Sequence, residues 1–212
     1  MLITEAIILA GGRGTRLRSV ISDVPKPMAK IGNKPFLEIL IGHYHRKGIK
    51  HFILSVGYMS EIIINHFQKK YRDIQITFSV EHTPLGTGGA IRLAAEHLHT
   101  EYTLVLNGDS LLDINLNQLD ALPPSSLPVI FARHVEDVAR FGQLLYNGDK
   151  IHGFVEKKGS GAGFINAGVY VLEKSTMLRF PKNLNFSLES EYFSNFSENN
   201  PATILFSYDY FI

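Results

Sequence analysis

At 212 residues the chain is long enough to bury one sizeable α/β core and too short for two full domains. Apolar residues make up 45%, charged residues 19%, and the formal net charge is +1, so there is neither a basic field for nucleic acid nor an acidic tail. Cysteine is absent, which excludes disulfides, thiol catalysis and cysteine-based zinc sites and fits a reducing compartment.

The first element is an apolar run, Ala6-Ile7-Ile8-Leu9-Ala10, that reads as a strand buried on both faces. Pro35 opens a helical pattern over 36–47, with Arg46 and Lys47 in its last turn and Gly48 as the stop. A second buried strand follows at 52–56, an amphipathic helix at 60–70 and a third strand at 74–80. Residues 88–99 carry Ile91, Ala94, Ala95 and Leu98 on one helical face, and a fourth strand spans 102–106. This alternation predicts a doubly wound, mainly parallel, Rossmann-like sheet with right-handed crossovers. Its ligands belong at the carboxyl ends of the strands.

Beyond Asp109 the rhythm loosens. Strands are expected at 129–133, 143–146, 151–156 and 164–172, several of them antiparallel, with a hairpin turn at Asn147-Gly148. A flexible loop at 158–163, a late helix at 187–196 and a last strand at 202–207 complete the reading. No apolar run approaches the length of a membrane span. The amino terminus has no basic stretch ahead of its apolar one, so the expected compartment is the cytoplasm.

The chemistry-bearing residues fall after strands. Gly11, Gly12 and Gly14 follow the first strand, with Arg13, Thr15, Arg16 and, further on, Pro25-Lys26-Pro27. Glycines permit a tight turn and nothing more, or a turn whose amides cradle phosphates. The arginines and Lys26 weigh towards the second. No Gly-Lys-Ser/Thr follows, so this is not a Walker A loop, and G-x-G-x-x-G is absent. After the third strand stands Glu81-His82-Thr83-Pro84-Leu85-Gly86-Thr87-Gly88-Gly89-Ala90, read either as a long turn or as a loop and helix N-terminus favouring an anion. Asn107-Gly108-Asp109 follows the fourth strand. Asp109 is a helix cap or, beside a phosphate loop, a carboxylate for Mg²⁺. Glu156-Lys157 and Asn166-Ala167-Gly168 read alone as a surface pair and a turn. The pairs His43-x-His45 and His97-x-His99, on predicted helices at i, i+2, point to different faces and predict no zinc site.

Taken together, G-G-x-G-T-R-L at residues 11–17, P-K-P-M at 25–28, P-L-G-T-G-G-A, L-N-G-D, V-E-K and N-A-G-V-Y resemble the sugar-1-phosphate nucleotidyltransferases. Within that family they most resemble the bacterial D-glycero-D-manno-heptose 1-phosphate guanylyltransferases, which supply GDP-heptose for capsule and lipopolysaccharide-type surface glycans. The resemblance implies one nucleotidyltransferase (GT-A-like) domain over 1–212, with a nucleotide-binding half at 1–110. A sugar-phosphate half with a small antiparallel part would span 111–212.

It further implies roles. Leu9, Ala10, Gly11, Gly12, Arg13, Gly14, Thr15, Arg16, Glu81, Pro84, Gly86, Thr87, Asn107 and Gly108 would hold the nucleotide. Arg16 would bind the leaving phosphates, Lys26 would bridge the reacting phosphates and Asp109 would hold Mg²⁺. Lys157 would dock the sugar phosphate, with Glu156, Asn166 and Gly142 at the sugar. The family position matching Glu81 faces the base. An ionised carboxylate accepts from both adjacent N–H groups of guanine, whereas uracil and thymine offer one, which favours GTP. Mannose 1-phosphate guanylyl transfer, hexose 1-phosphate uridylyl or thymidylyl transfer, and transfer to phosphocholine are the alternatives. So is a catalytically weak nucleotide-sugar-binding homologue. Such a chain would take small-molecule substrates and no nucleic acid or membrane, with a homodimer one assembly open to it. The family's second metal aspartate is expected just beyond the last residues, with Asp209 too early to be it, so the sequence ends before that motif or the metal site is weakened.

Overall fold

The structure is a computed structural model that describes all residues except 13–22, 69–72, 140–142, 156–159, 198 and 209. Four strands build its parallel half: β1 (Glu5–Leu9), β2 (His51–Val56), β3 (Gln75–Val80) and β4 (Tyr102–Asn107). They lie in the order β3-β2-β1-β4, every neighbour parallel. Because side chains alternate along a strand, Ala6 and Ile8 face one side while Ile7 faces the other. The helices cover both sides. On one, α1 (Phe36–Arg46) and α2 (Ser60–Phe67) pack Leu37, Leu40, Ile41, Tyr44 and Ile63 against Ala6, Ile8, Phe52 and Leu54. On the other, α3 (Gly86–Ala94) packs Ile91 and Ala94 against Ile7, Ile53 and Val105. Each fully buried Leu, Ile, Val or Phe among them contributes about 1.5–3 kcal/mol. Helix α1 ends as expected, at Gly48 with φ +110°.

Apart from a small separate hairpin, Lys30–Ile31 with Lys34–Pro35, the remaining strands are β5 (Val129–Val135), β6 (Gln143–Asn147), β7 (Lys150–Val155), β8 (Gly163–Glu173) and β9 (Ala202–Ser207). They extend the same sheet as β4-β8-β5-β9-β7-β6. Strand β8 runs antiparallel to β4 and β5, while β9 is parallel to β5 and antiparallel to β7. A contact of Ile165 with Gln143 ties β6 back to β8, so these five strands close into a ring. The hairpin at Asn147-Gly148 is present, with Gly148 at φ +59°. No helix among the described residues is long and apolar enough to cross a membrane.

Two expectations change. Helix α3 starts at Gly86 rather than at residue 88 and gives way to a 3-10 turn at Ala95–His97. The late helix is not α-helical: a π turn at Leu188–Tyr192 runs into a 3-10 turn at Phe193–Asn195. Ser187 Oγ accepts from Ser190 N–H at its start, and Leu188 and Phe193 are driven into the core, so tertiary packing overrides regular winding. One short helix, α4 (Lys174–Leu178), had no sequence signal.

Strand β8 carries a bulge between Asn166 and Tyr170. Asn166 Oδ1 accepts from Gly168 N–H at 2.9 Å, and its Nδ2 donates to the Tyr170 hydroxyl at 2.8 Å. Gly168 sits at φ +73°, and a Cβ there would lie 2.5 Å from Asn107 Nδ2. A Gly168→Ala variant is therefore expected to lose about 2 kcal/mol in urea unfolding, combining left-handed backbone strain with overpacking against Asn107.

Candidate active site

The carboxyl ends of β1 to β4 border a cavity of about 540 Å³. That is the size of a small-molecule site in an α/β sheet, and it lies where such sheets place one. Leu9, Gly11 and Gly12 contribute from the end of β1, Ser55, Gly57 and Tyr58 from β2, and Glu81, His82, Thr83 and Pro84 from β3. Gly86, Thr87 and Ala90 line it from α3, Asn107 and Asp109 from β4, and Asn185 from far along the chain.

Close backbone packing shapes this wall. Ala10 N–H donates to the Ser55 carbonyl at 2.8 Å, and Gly108 N–H to the Leu9 carbonyl at 3.0 Å. A Cβ on Gly108 would lie 2.6 Å from Leu9 O, so glycine is required for this approach. Ala10 and Gly108 thus sit behind the wall rather than in it.

Glu81 reaches between two glycines. A Cβ on Gly11 or Gly57 would come within 2.2 or 2.6 Å of its Oε1. Its Oε2 accepts from Leu85 N–H at 3.1 Å. Burial pushes its carboxyl pKa up, opposed in part by that hydrogen bond. A desolvated carboxylate with one oxygen on an amide and the other against bare glycine is an acceptor awaiting donors.

At the other end of the cavity Lys26 Nζ pairs with Asp109 Oδ2 at 2.6 Å. Lys26 is held by a 3-10 turn, Lys26–Met28, whose Pro27 and Met28 are buried. Asp109 follows β4 directly. A cation and a carboxylate are thereby poised on opposite sequence motifs at one edge of the cavity, an arrangement able to take a phosphate and a divalent cation.

The α3 N-terminus departs from the expectation of an anion site. Gly88 and Gly89 N–H both donate to the Phe186 carbonyl, at 2.8 and 3.2 Å. The Thr87 hydroxyl donates to Glu189 Oε2 at 2.6 Å and accepts from Leu188 N–H at 2.8 Å. The Gly88 and Gly89 amides and the Thr87 hydroxyl are thus consumed within the chain. Gly86, at φ +69°, allows the 185–186 backbone to approach.

Of the sequence candidates, Leu9, Gly11, Gly12, Glu81, Pro84, Gly86, Thr87, Asn107 and Asp109 line the cavity together. Asn166 does not, because its side chain holds the β8 bulge. Arg13, Gly14, Thr15, Arg16, Gly142, Glu156, Lys157 and Asp209 lie outside the described residues. Sequence reading missed Ser55, Gly57, Tyr58 and Asn185. The first three follow from the rule that every parallel strand's carboxyl end borders the ligand. Asn185 had no local signal.

Comparison with known proteins gives the family. The chain is 39% identical over 98% of its length to D-glycero-alpha-D-manno-heptose 1-phosphate guanylyltransferase of Campylobacter jejuni, covering 93% of that protein. It is 36% identical to the protein of the same name from Aneurinibacillus thermoaerophilus, over 89% of this chain and 83% of that one. The crystal structure of HddC from Yersinia pseudotuberculosis complexed with GMP-PN superposes with a TM-score of 0.86 at 34% identity, over 99% of this chain and 93% of that one. Residues 5–200, which carry every strand bordering the cavity, match the Nucleotidyl transferase family, and the chain belongs to it.

Proposed function

We propose that the chain transfers GMP from GTP to D-glycero-α-D-manno-heptose 1-phosphate, giving GDP-heptose and pyrophosphate. The reading rests on near full-length likeness to two heptose 1-phosphate guanylyltransferases. The observation that carries it is the cavity with an acceptor carboxylate, Glu81, at one end and the Lys26–Asp109 pair at the other. Guanine would give its two adjacent N–H donors to the Glu81 carboxylate, and the triphosphate would run towards Lys26.

In the reaction a sugar phosphate oxygen attacks the α-phosphorus in line. The bond from that phosphorus to the α,β-bridging oxygen breaks, and pyrophosphate leaves. The nucleophile is already an anion, so no general base is required. What the protein supplies is position and charge. Lys26 exchanges its bond to Asp109 for phosphate oxygens at the reacting centre. Arg16 and the 11–15 backbone take the leaving phosphates, and Lys157, Glu156 and Gly142 hold the sugar phosphate, while Asn166 serves the β8 bulge.

Asp109 fits a hard divalent cation. It is a part-exposed carboxylate at the cavity edge, where an ion keeping waters and phosphate oxygens has room. Asp109 would hold Mg²⁺ there, and the ion would supply positive charge for the phosphates.

The test is a panel of the four common NTPs against heptose, mannose and glucose 1-phosphates, read as pyrophosphate release with Mg²⁺. GTP with the heptose ester is expected to be the best pair. Preference for mannose 1-phosphate would reassign the sugar, and nucleotide binding without turnover would leave only a binding protein. A Glu81→Gln variant replaces one acceptor oxygen by a donor. It should lower the preference for GTP over UTP by about tenfold, the value of one hydrogen bond to a charged group. An unchanged preference would detach Glu81 from base recognition.

A further inference from the structure

A second cluster lies at the opposite end of the sheet. Glu5 opens β1 and His51 opens β2, about 13 Å along β1 from its carboxyl end at Leu9. His99 lies just beyond the 3-10 turn that follows α3. His51 Nδ1 and His99 Nδ1 both meet Glu5 Oε1, at 2.6 and 3.0 Å. The three potential ligand atoms lie within 4.8 Å of one another.

We propose that Glu5, His51 and His99 form a binding site for one divalent transition-metal ion of the zinc type, separate from the site for nucleotide chemistry. Two imidazole nitrogens and one carboxylate oxygen are a donor set suited to Zn²⁺ and its neighbours rather than to Mg²⁺. Ligands on a four-coordinate zinc ion stand about 3.3 Å apart, so the Glu5–imidazole spacings of 2.6 and 3.0 Å need to open by about 0.7 and about 0.3 Å, the latter within the reach of a side-chain rotation at the exposed His99.

The supporting shell is already built. Glu5 Oε2 accepts from His99 N–H at 2.9 Å and from both Thr100 N–H and Thr100 Oγ1 at 2.6 Å. That fixes the carboxylate and leaves Oε1 turned to the imidazoles. His51 Nε2 lies 2.8 Å from Thr77 Oγ1. Since a carboxylate only accepts, each Nδ1 now carries the hydrogen. With a metal on Nδ1 the hydrogen moves to Nε2 of the same ring. A hydroxyl both donates and accepts, so the Thr77 contact survives the change, and no proton is lost from the rings. Held this way, His51 has the outer partner that a metal-bound histidine needs. Glu5 and His51 are buried, whereas the His99 side chain is 71% exposed. The ion therefore has an entry path and a fourth position for water on the His99 side, and it would tie β1, β2 and the lead-in to β4 together.

Titration of the full chain with Co²⁺ tests this. One equivalent is expected to bind with the visible absorption of a four-coordinate ion, to be displaced by Zn²⁺, and to raise the unfolding temperature with Zn²⁺ concentration. An Asp109→Ala variant should bind the same equivalent, and His99→Ala, altered at an exposed side chain, should lose it while keeping its circular dichroism spectrum. A Thr77→Val variant should bind ten- to a hundredfold more weakly. The proposal is overturned by wild-type protein that takes up no saturable equivalent, or by uptake that His99→Ala retains.

Discussion

Replacement of Lys26 by alanine is expected to lower turnover at least about a hundredfold, or about 2.7 kcal/mol of transition-state stabilisation. The alternative explanation of such a loss, a damaged fold, can be weighed in advance. The Lys26–Asp109 pair is tight at 2.6 Å, but both side chains are more than a third exposed. An ion pair in that setting contributes about 0–1 kcal/mol to stability. The variant should therefore unfold within a few degrees of wild type, by the usual ratio of about 4 °C or less per kcal/mol in a chain of this size. The kinetic loss would then report charge placed at the reacting phosphates. Because that charge matters most as the bond to the leaving oxygen stretches, kcat and kcat/KM should fall together. Lys26→Arg is not expected to restore the rate, since a planar fork cannot occupy the place of a compact ammonium. Asp109→Ala should give a loss of the same order, and higher Mg²⁺ should recover part of it if the carboxylate acts as an ion ligand. Wild-type turnover in Lys26→Ala would remove this lysine from the reacting centre.

The parallel half of the fold was legible because β1, β2 and β4 are buried on both faces and only the edge strand β3 is half-buried. Ala6-Ile7-Ile8 and Phe52-Ile53-Leu54 leave no other role for such runs, and Pro35 and Gly48 mark the ends of α1. The cavity was legible for a related reason: Gly11, Glu81 and Asp109 each follow the carboxyl end of a parallel strand, so the sheet must bring them together. Contacts made across long sequence separation were not legible. Nothing around Phe186 announces that its carbonyl caps Gly88 and Gly89, so an N-terminus that looks open in sequence is closed in space. Nothing in Asn166 distinguishes a ligand from the brace of a bulge. The distinction lies in Gly168 and Tyr170, which take both ends of its amide. The insertion of β9 between β5 and β7 likewise depends on pairing that no local pattern encodes.

His99 shows a different failure. Periodicity placed it on a helix with His97, and helical spacing sent the two apart. The helix ends earlier: Leu98, at φ −76° and ψ 143°, is already extended. His99 is thereby released from helical direction, and its ring tilts against that of His51 at a centroid distance of 5.3 Å.

That geometry makes Glu5 the position where one substitution should cost most stability. Glu5→Ala is expected to lose about 4 kcal/mol in urea unfolding, measured with a chelator present so that no bound ion contributes. Five donors converge on this one carboxylate: two imidazole nitrogens, the His99 and Thr100 amides, and the Thr100 hydroxyl. Burial alone would raise the Glu5 pKa, but the hydrogen bonds from Thr100, His51 and His99 outweigh it and hold the carboxyl down at about 2, from 4.5. The bonds therefore more than offset desolvation, and deleting the acceptor strands the buried His51 and the Thr100 donors, while the exposed His99 ring turns to water. Glu5→Gln should be far milder, at about 1 kcal/mol. Its oxygen can still accept from Thr100 and the His99 amide. Its nitrogen can donate to both Nδ1 atoms once their hydrogens move to Nε2, a change that Thr77 tolerates on His51. Equal losses in the two variants would mean that charge, rather than hydrogen-bond count, holds the cluster. A small loss in Glu5→Ala would mean that water fills the site and the three segments meet without it.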